Sequence, residues 1–239
     1  MRDEPSSRSR VAKYFAGRPL MWATVSGLAL VVIGLTVFFG LLDSVVERDD
    51  FSLADRPVLS WLVVNRGPAA TAILSSITFI SGPLVLPVIV VVVCIVWGAL
   101  RHQWWRPLVL LAAMGVSTAV SVAIKAVVAR PRPPITTMFV PSAETSASFP
   151  SGHTIGAATF LFVGAYLVVS RRPGAWRLFC WCVAALIGVV AVALSRLYLG
   201  YHFLTDVLAA VALALAILGT VMIVDRLRAL RGSRESRHV

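Results

Sequence analysis

The sequence predicts an all-α membrane protein: a six-transmembrane-helix bundle with both termini cytoplasmic and a short interfacial helix between spans 1 and 2. Three observations carry this reading. Hydrophobic residues make up 58% of the 239-residue chain and charged residues only 14%, unlike the balance of a soluble domain. Uncharged runs recur that are long enough to clear a bilayer, which takes roughly 20 apolar residues as a helix. Finally, the basic residues divide unequally between the loops on the two sides of those runs.

The runs are 19–42, 67–100, 107–124, 145–170, 178–195 and 207–224. The first follows basic residues, as a secretory signal would. It is too long for a signal core and lacks a small-residue cleavage site, so it is an anchor. The second is long enough to bend once, and Ser81-Gly82-Pro83 is the expected break. Residues 67–80 then form a short helix along or just inside the surface, and 83–100 form the span. Between the first two runs lies a polar insertion, residues 43–66. Its stretch 58–64 is partly amphipathic and carries Trp61, which suits a helix in the headgroup plane. His102, Trp104 and Trp105 form a further interfacial belt. Residues 130–149 are a Pro/Ser/Thr-rich loop. The expected organisation is a basic tail (1–18), one domain (19–226) and a second basic tail (227–239).

With both termini inside, 15 of the 22 Lys and Arg residues fall on the cytoplasmic side, including Arg101, Arg106, Arg171, Arg172 and Arg177. The outer side receives Arg48, Arg56, Arg66, Lys125, Arg130, Arg132 and Arg196. This is the sense of the positive-inside rule. Acidic residues lean the other way, so the net charge of +11 sits on the cytoplasmic face. The basicity reflects topology and excludes a nucleic-acid footprint. The 3 cysteines, Cys94, Cys180 and Cys182, all lie in spans and are expected to be unpaired, buried small hydrophobes.

Ionisable side chains at membrane depth are costly and mark function by default. They fall in three islands. The first contains Lys125, Arg130 and Arg132. Lys125 ends a span, and Pro131 and Pro133 stop the helix after it. Alone, Lys125 would read as a snorkelling lysine. Seven residues on, Arg132 would share its helical face, whereas Arg130 would point away as a solvated or structural arginine. The second island, Pro150-Ser151-Gly152-His153, opens the fourth span. Ser151 suits an N-cap, Gly152 admits a ligand close to the backbone, and the helix N-terminus attracts an anion. His153 can give a proton to a departing oxygen near neutral pH. In the third island, His202 and Asp206 stand four apart, within hydrogen-bonding reach on one face. An aspartate that fixes one imidazole nitrogen as N–H leaves the other as a nucleophilic lone pair. An isolated pair of this kind would equally serve as a structural cap. Arg196 precedes it by one short loop. The alternation of spans places all three islands at the outer surface, although the motifs themselves say nothing of depth.

Together the islands resemble the three signature motifs of the type 2 phosphatidic acid phosphatase (PAP2) superfamily. These are Lys125, six residues, then Arg132-Pro133; Pro150-Ser151-Gly152-His153; and Ser195-Arg196, five residues, His202, three residues, Asp206. Every motif position matches. The resemblance implies a metal-independent phosphatase without cofactor, of the bacterial membrane lipid-phosphatase branch. His202 would form a phosphohistidine with Asp206 orienting it, and His153 would protonate the leaving oxygen. Lys125, Arg132, Arg196, Ser151 and Gly152 would hold the phosphate. The expected substrate is a membrane lipid phosphate, with polyprenyl diphosphate such as undecaprenyl diphosphate favoured and phosphatidylglycerol phosphate or phosphatidic acid next. The expected place is the cytoplasmic membrane, with the site facing outward. Phosphate transfer between lipids would use the same residues. An anion transporter is the rival class, but carriers place charges near the midplane in repeated halves, and this chain does not.

Overall fold

The computed structural model describes residues 7–141, 144–170 and 174–235. Among them are eight α-helices, two short 3-10 segments and no strand. The helices are α1 (Ser7–Glu47), α2 (Asp55–Val64), α3 (Pro68–Ile80), α4 (Val85–Arg101), α5 (Trp105–Val128), α6 (Gly152–Val169), α7 (Ala175–Tyr198) and α8 (Leu204–Glu235). Five of them are long and apolar enough to cross a membrane: α1 from Thr24, α5, α6, α7 and α8. The pair α3 and α4 makes a sixth candidate, bent by 57° at its break.

The break falls where the sequence places it. Ser81 closes α3 by returning its hydroxyl to Ile77 O at 2.8 Å, and Pro83 cannot continue the ladder. Pro68 opens α3 in the first helical turn, where a missing N–H costs nothing. In the insertion between α1 and α3, α2 buries Asp55, Leu59 and Leu62 and leaves Trp61 and Val64 exposed. Residues 7–18 of the expected basic tail are helical and continue directly into the first span. Residues 1–6 and 236–239, with Ser142, Ala143 and Arg171 to Pro173, lie outside the described residues.

The core is organised around α6 and α8. Thr154, Ile155, Ala158, Val163 and Leu167 of α6 are buried, as are Ala209, Ala210 and Ala214 of α8. Small residues let helices approach closely where a lipid solvent gives no hydrophobic push between them. Along the α1–α8 seam, a Cβ added to Gly34 would lie 2.6 Å from Ala212 O, so the backbones are nearly in contact there. The outward faces are hydrocarbon: Leu28, Val32 and Phe39 on α1, Val92 on α4, and Leu186 and Ile187 on α7 are all exposed. Cys180 and Cys182, near the start of α7 where the helix is exposed all round, are both exposed and only Cys94 is buried, which corrects the expectation that all three are interior. At the end of the bundle remote from the three islands, Asp225 accepts from Trp105 Nε1 at 3.2 Å and from Tyr166 Oη at 3.1 Å, while Arg228 lies over the Trp105 ring. This polar belt anchors α5, α6 and α8 together.

Candidate active site

The end of α7 and the start of α8 are joined by a tight turn. Gly200 sits at φ +77°, and a Cβ there would lie 2.1 Å from Thr137 O, so no other residue fits. The turn delivers His202 just ahead of α8, with only 1% of its surface exposed. Its Nδ1 lies 3.3 Å from Asp206 Oδ2 in the first turn of α8. The same carboxylate accepts from Phe203 N at 2.9 Å, from the Ser148 hydroxyl and from Arg130 Nη1 at 2.6 Å. Asp206 is thereby fixed as an ionised acceptor, and His202 Nδ1 carries the proton. Nε2 is left with its lone pair, 3.2 Å from Arg132 Nη1. Burial above all, with Arg196 and Arg132 adding to it against Asp206, lowers the His202 pKa from its ordinary value to about 4. The imidazole is neutral at neutral pH, as a nucleophile must be.

Around Nε2 stand the cations. Lys125, in the last turn of α5, donates to Ala147 O. Arg196, in the last turn of α7, is 1% exposed and lies over the Tyr201 ring at 4.6 Å. Arg132 arrives by a different route from the one its spacing suggests. α5 stops at Val128 because Ala129 turns left-handed at φ 46° and prolines follow, so Lys125 and Arg132 share no helical face. Arg132 instead folds in from the loop, held by Ser146 O at 2.6 Å and Tyr201 O at 2.9 Å. Arg130 was expected to point away from the site, but it turns back and bridges Asp206 and Asp55 with an ion pair to each.

His153 lies in the first turn of α6, its Nδ1 3.8 Å from Glu144 Oε1. Ser151 occupies the N-cap position but makes no side-chain cap. Its oxygen accepts from Thr154 Oγ1 at 3.0 Å, and Ser151 is absent from the lining of the cavity between the cations and the histidines. Gly152 does line the cavity, together with Lys125, Arg132, His153 and His202.

Glu144 is the residue the sequence left without a role. It reaches from the Pro/Ser/Thr-rich loop into the centre of the cations, pairing with Arg196 and, at 2.9 Å, with Arg132 Nη2. Burial pushes its carboxyl up, but the charges of Arg196 and Arg132 outweigh that and hold it below the usual range. Glu144 is therefore a carboxylate standing among the charges an oxyanion would seek. Arg196 Nε is buried without a hydrogen-bond partner among the described residues. Asp55 and Ser148 were also unforeseen. Nothing in their local sequence marks them, since their partners lie more than fifty residues away.

The cavity above the histidines has a volume of about 340 Å³ and runs from the cations into apolar surroundings. Its walls are the α3–α4 break, Leu86 and Pro87 of α4, Met114 and Val122 of α5, and Ile155 of α6. The amphipathic stretch 58–64 is absent from this lining. Leu59 and Leu62 are instead packed inward, Leu62 in the cluster around Tyr198 and Tyr201.

A cationic pocket set at one end of an apolar helical bundle, and continuous with its hydrocarbon flank, defines a class of integral membrane phosphatases. The chain belongs to the PAP2 superfamily, whose sequence profile matches residues 106–229, from α5 through α8. It is 31% identical over 190 residues to phosphatidylglycerophosphatase B of Bacillus subtilis (strain 168), covering 77% of this chain and 89% of that protein. The crystal structure of a transmembrane PAP2-type phosphatidylglycerolphosphate phosphatase from Bacillus subtilis superposes with a TM-score of 0.71 at 28% identity, over 81% of this chain and 96% of that one. LpxE of Aquifex aeolicus shares the fold, with a TM-score of 0.54 at 20% identity over 73% of this chain and 96% of that one.

Proposed function

We propose that this protein hydrolyses the phosphomonoester of a membrane glycerophospholipid through a phosphohistidine at His202, without a metal. The observation that carries the reading is the alignment of a neutral, Asp206-held His202 with a second histidine and three cations beside an apolar cavity. The lipid phosphate displaces Glu144 and spreads its oxygens over Lys125, Arg132, Arg196 and the Gly152 backbone N–H. A dianion replaces a monoanionic carboxylate there, so the exchange strengthens every contact. His202 Nε2 attacks phosphorus while the P–O bond to the lipid breaks. His153 passes its proton to the departing oxygen. A water then attacks the phosphohistidine, His153 takes a proton from it, and inorganic phosphate leaves. Positioning and fixed charge carry this chemistry, so three cations stand where other phosphoryl-transfer sites use Mg²⁺.

The substrate class follows from charge. Arg130 is fully engaged by Asp55 and Asp206, which leaves Lys125, Arg132 and Arg196 for one phosphoryl group and, among the described residues around the cavity, no further cation for a second. The three cations gathered around a single phosphoryl position, with the likeness to phosphatidylglycerophosphatase B, rank phosphatidylglycerol phosphate ahead of the polyprenyl diphosphate that the sequence favoured. The test is phosphate release by the purified protein from phosphatidylglycerol phosphate, phosphatidic acid and undecaprenyl diphosphate, with and without excess chelator. Release is expected to be fastest from the first and undiminished by chelation. A strict Mg²⁺ requirement, or preference for the diphosphate by tenfold or more, would overturn this assignment.

The asymmetry of basic loops supports a site on the outer face of the cytoplasmic membrane. In a variant lacking Cys94, Cys180 and Cys182, a cysteine at the exposed Thr145 should react in intact cells with a membrane-impermeant thiol reagent. A cysteine at Gly174 should not. The opposite pattern would place the chemistry in the cytoplasm.

A further inference from the structure

We infer that Asp55, in the outer segment before the bent helix pair, is a positioning residue that acts on the nucleophile through Arg130 and Asp206. It lies outside residues 106–229, the region matched to the family. Resting on the phosphohistidine reading above, the inference names a further part of the same site.

Asp55 is 2% exposed in the first turn of α2. Its Oδ2 accepts from Arg130 Nη2 at 2.6 Å and from Thr205 Oγ1 at 2.7 Å, and its Oδ1 accepts from Thr205 N at 2.9 Å. Arg130 extends its other arm, Nη1, to Asp206 Oδ1 at 2.6 Å and to Thr205 Oγ1 at 2.7 Å. The result is a buried chain His202–Asp206–Arg130–Asp55. Thr205 N is one of the orphan donors of the α8 N-terminus, so Asp55 also ties down the turn that carries Asp206.

Counting charge shows why the chain needs its last member. When Nε2 of His202 is phosphorylated while Nδ1 keeps its proton, the imidazole ring becomes cationic. Asp206 is there to balance that charge, but Arg130 at 2.6 Å already neutralises it. Asp206 with Arg130 sums to zero. Adding Asp55 returns the network to one net negative charge, in a buried setting where such a charge is felt strongly. A buried arginine between two carboxylates also holds Asp206 in a single orientation through a fork of fixed geometry.

Asp55→Asn is nearly isosteric and keeps one oxygen to accept from Thr205 N, but removes the charge and the second acceptor that faces Arg130. Its kcat on phosphatidylglycerol phosphate should fall about thirtyfold with KM changed by less than about twofold. Single-turnover release of nitrophenolate from an aryl phosphate, which reports phosphorylation of His202, should slow to match. Asp55→Glu should recover most of the loss. The double variant Asp55→Asn, Arg130→Gln restores one net negative charge and should turn over several-fold faster than Asp55→Asn alone. A structural anchor predicts the reverse, with the double variant no faster than the single. The inference is overturned if Asp55→Asn keeps at least half the wild-type kcat, or if neither Asp55→Glu nor the double variant recovers. Should Asp55→Asn fail to fold, a double variant that folds and turns over supports the same count, and one that also fails to fold reduces Asp55 to an anchor. Inactive wild-type protein would remove the lipid-phosphatase reading itself, and this inference with it.

Discussion

Replacing His202 by alanine is expected to reduce lipid-phosphate hydrolysis by about 10⁴-fold or more, the scale seen when a covalent nucleophile is removed. The site offers no substitute, because His153 is the other histidine present and Glu144 faces arginines. Rapid quenching of wild-type enzyme with phosphorus-labelled substrate should trap label on the protein in a bond stable to alkali and labile to acid, as a phosphoramidate is. The alanine variant should trap none while keeping its helical circular dichroism and thermal midpoint. The pH dependence has a definite sign. The competent neutral imidazole is lost only as pH falls through about 4, so phosphorylation of His202 should persist at pH 5, where an ordinary histidine is mostly protonated. Hydrolysis by His202→Ala above about one hundredth of the wild-type rate would mean another nucleophile.

Much of this site was legible because the chemistry is written in short segments at span ends. His202 and Asp206 are four residues apart, and helix geometry alone joins them. Lys125, His153, Arg196 and His202 converge because apolar runs of similar length return the chain to one surface each time. The break at Ser81 to Pro83 was equally legible, since proline and glycine act locally. The residues that escaped are those whose role depends on loop conformation or distant pairing. Glu144 is one acid in a Pro/Ser/Thr-rich loop, and only the path of that loop carries it into the cations. Asp55 meets Arg130 across seventy-five residues. Arg132 was read into the site from its motif and from a shared helical face, but Ala129 ends the helix before that face is reached, and it is the loop that brings Arg132 to His202. Ser151 shows the converse: its position as N-cap was predictable, but the hydroxyl turns to Thr154, a partner three residues into α6. The inward packing of Leu59 and Leu62 was hidden because an amphipathic stretch does not say whether its apolar side faces lipid or protein.

His153→Ala is expected to cost lipid turnover about 10³-fold, within the range for loss of a general acid and base. The distinguishing feature is how the loss depends on the leaving group. A lipid alkoxide cannot depart without a proton, so phosphorylation of His202 itself slows. Nitrophenolate leaves without one, so with an aryl phosphate the first step should fall only about tenfold. Its second step still needs a base to activate water, and His153 is the group next to the pocket, 3.8 Å from the carboxylate among the cations. The variant should therefore release about one equivalent of nitrophenolate per enzyme in a burst and then turn over slowly, accumulating the phosphohistidine that wild-type enzyme clears. Hydroxylamine, a strong nucleophile needing little base assistance, should speed the second phase. An equal loss on lipid and aryl substrates, with no burst and no accumulated phosphoenzyme, would show that His153 merely shapes the pocket, and proton transfer would have to be reassigned to water.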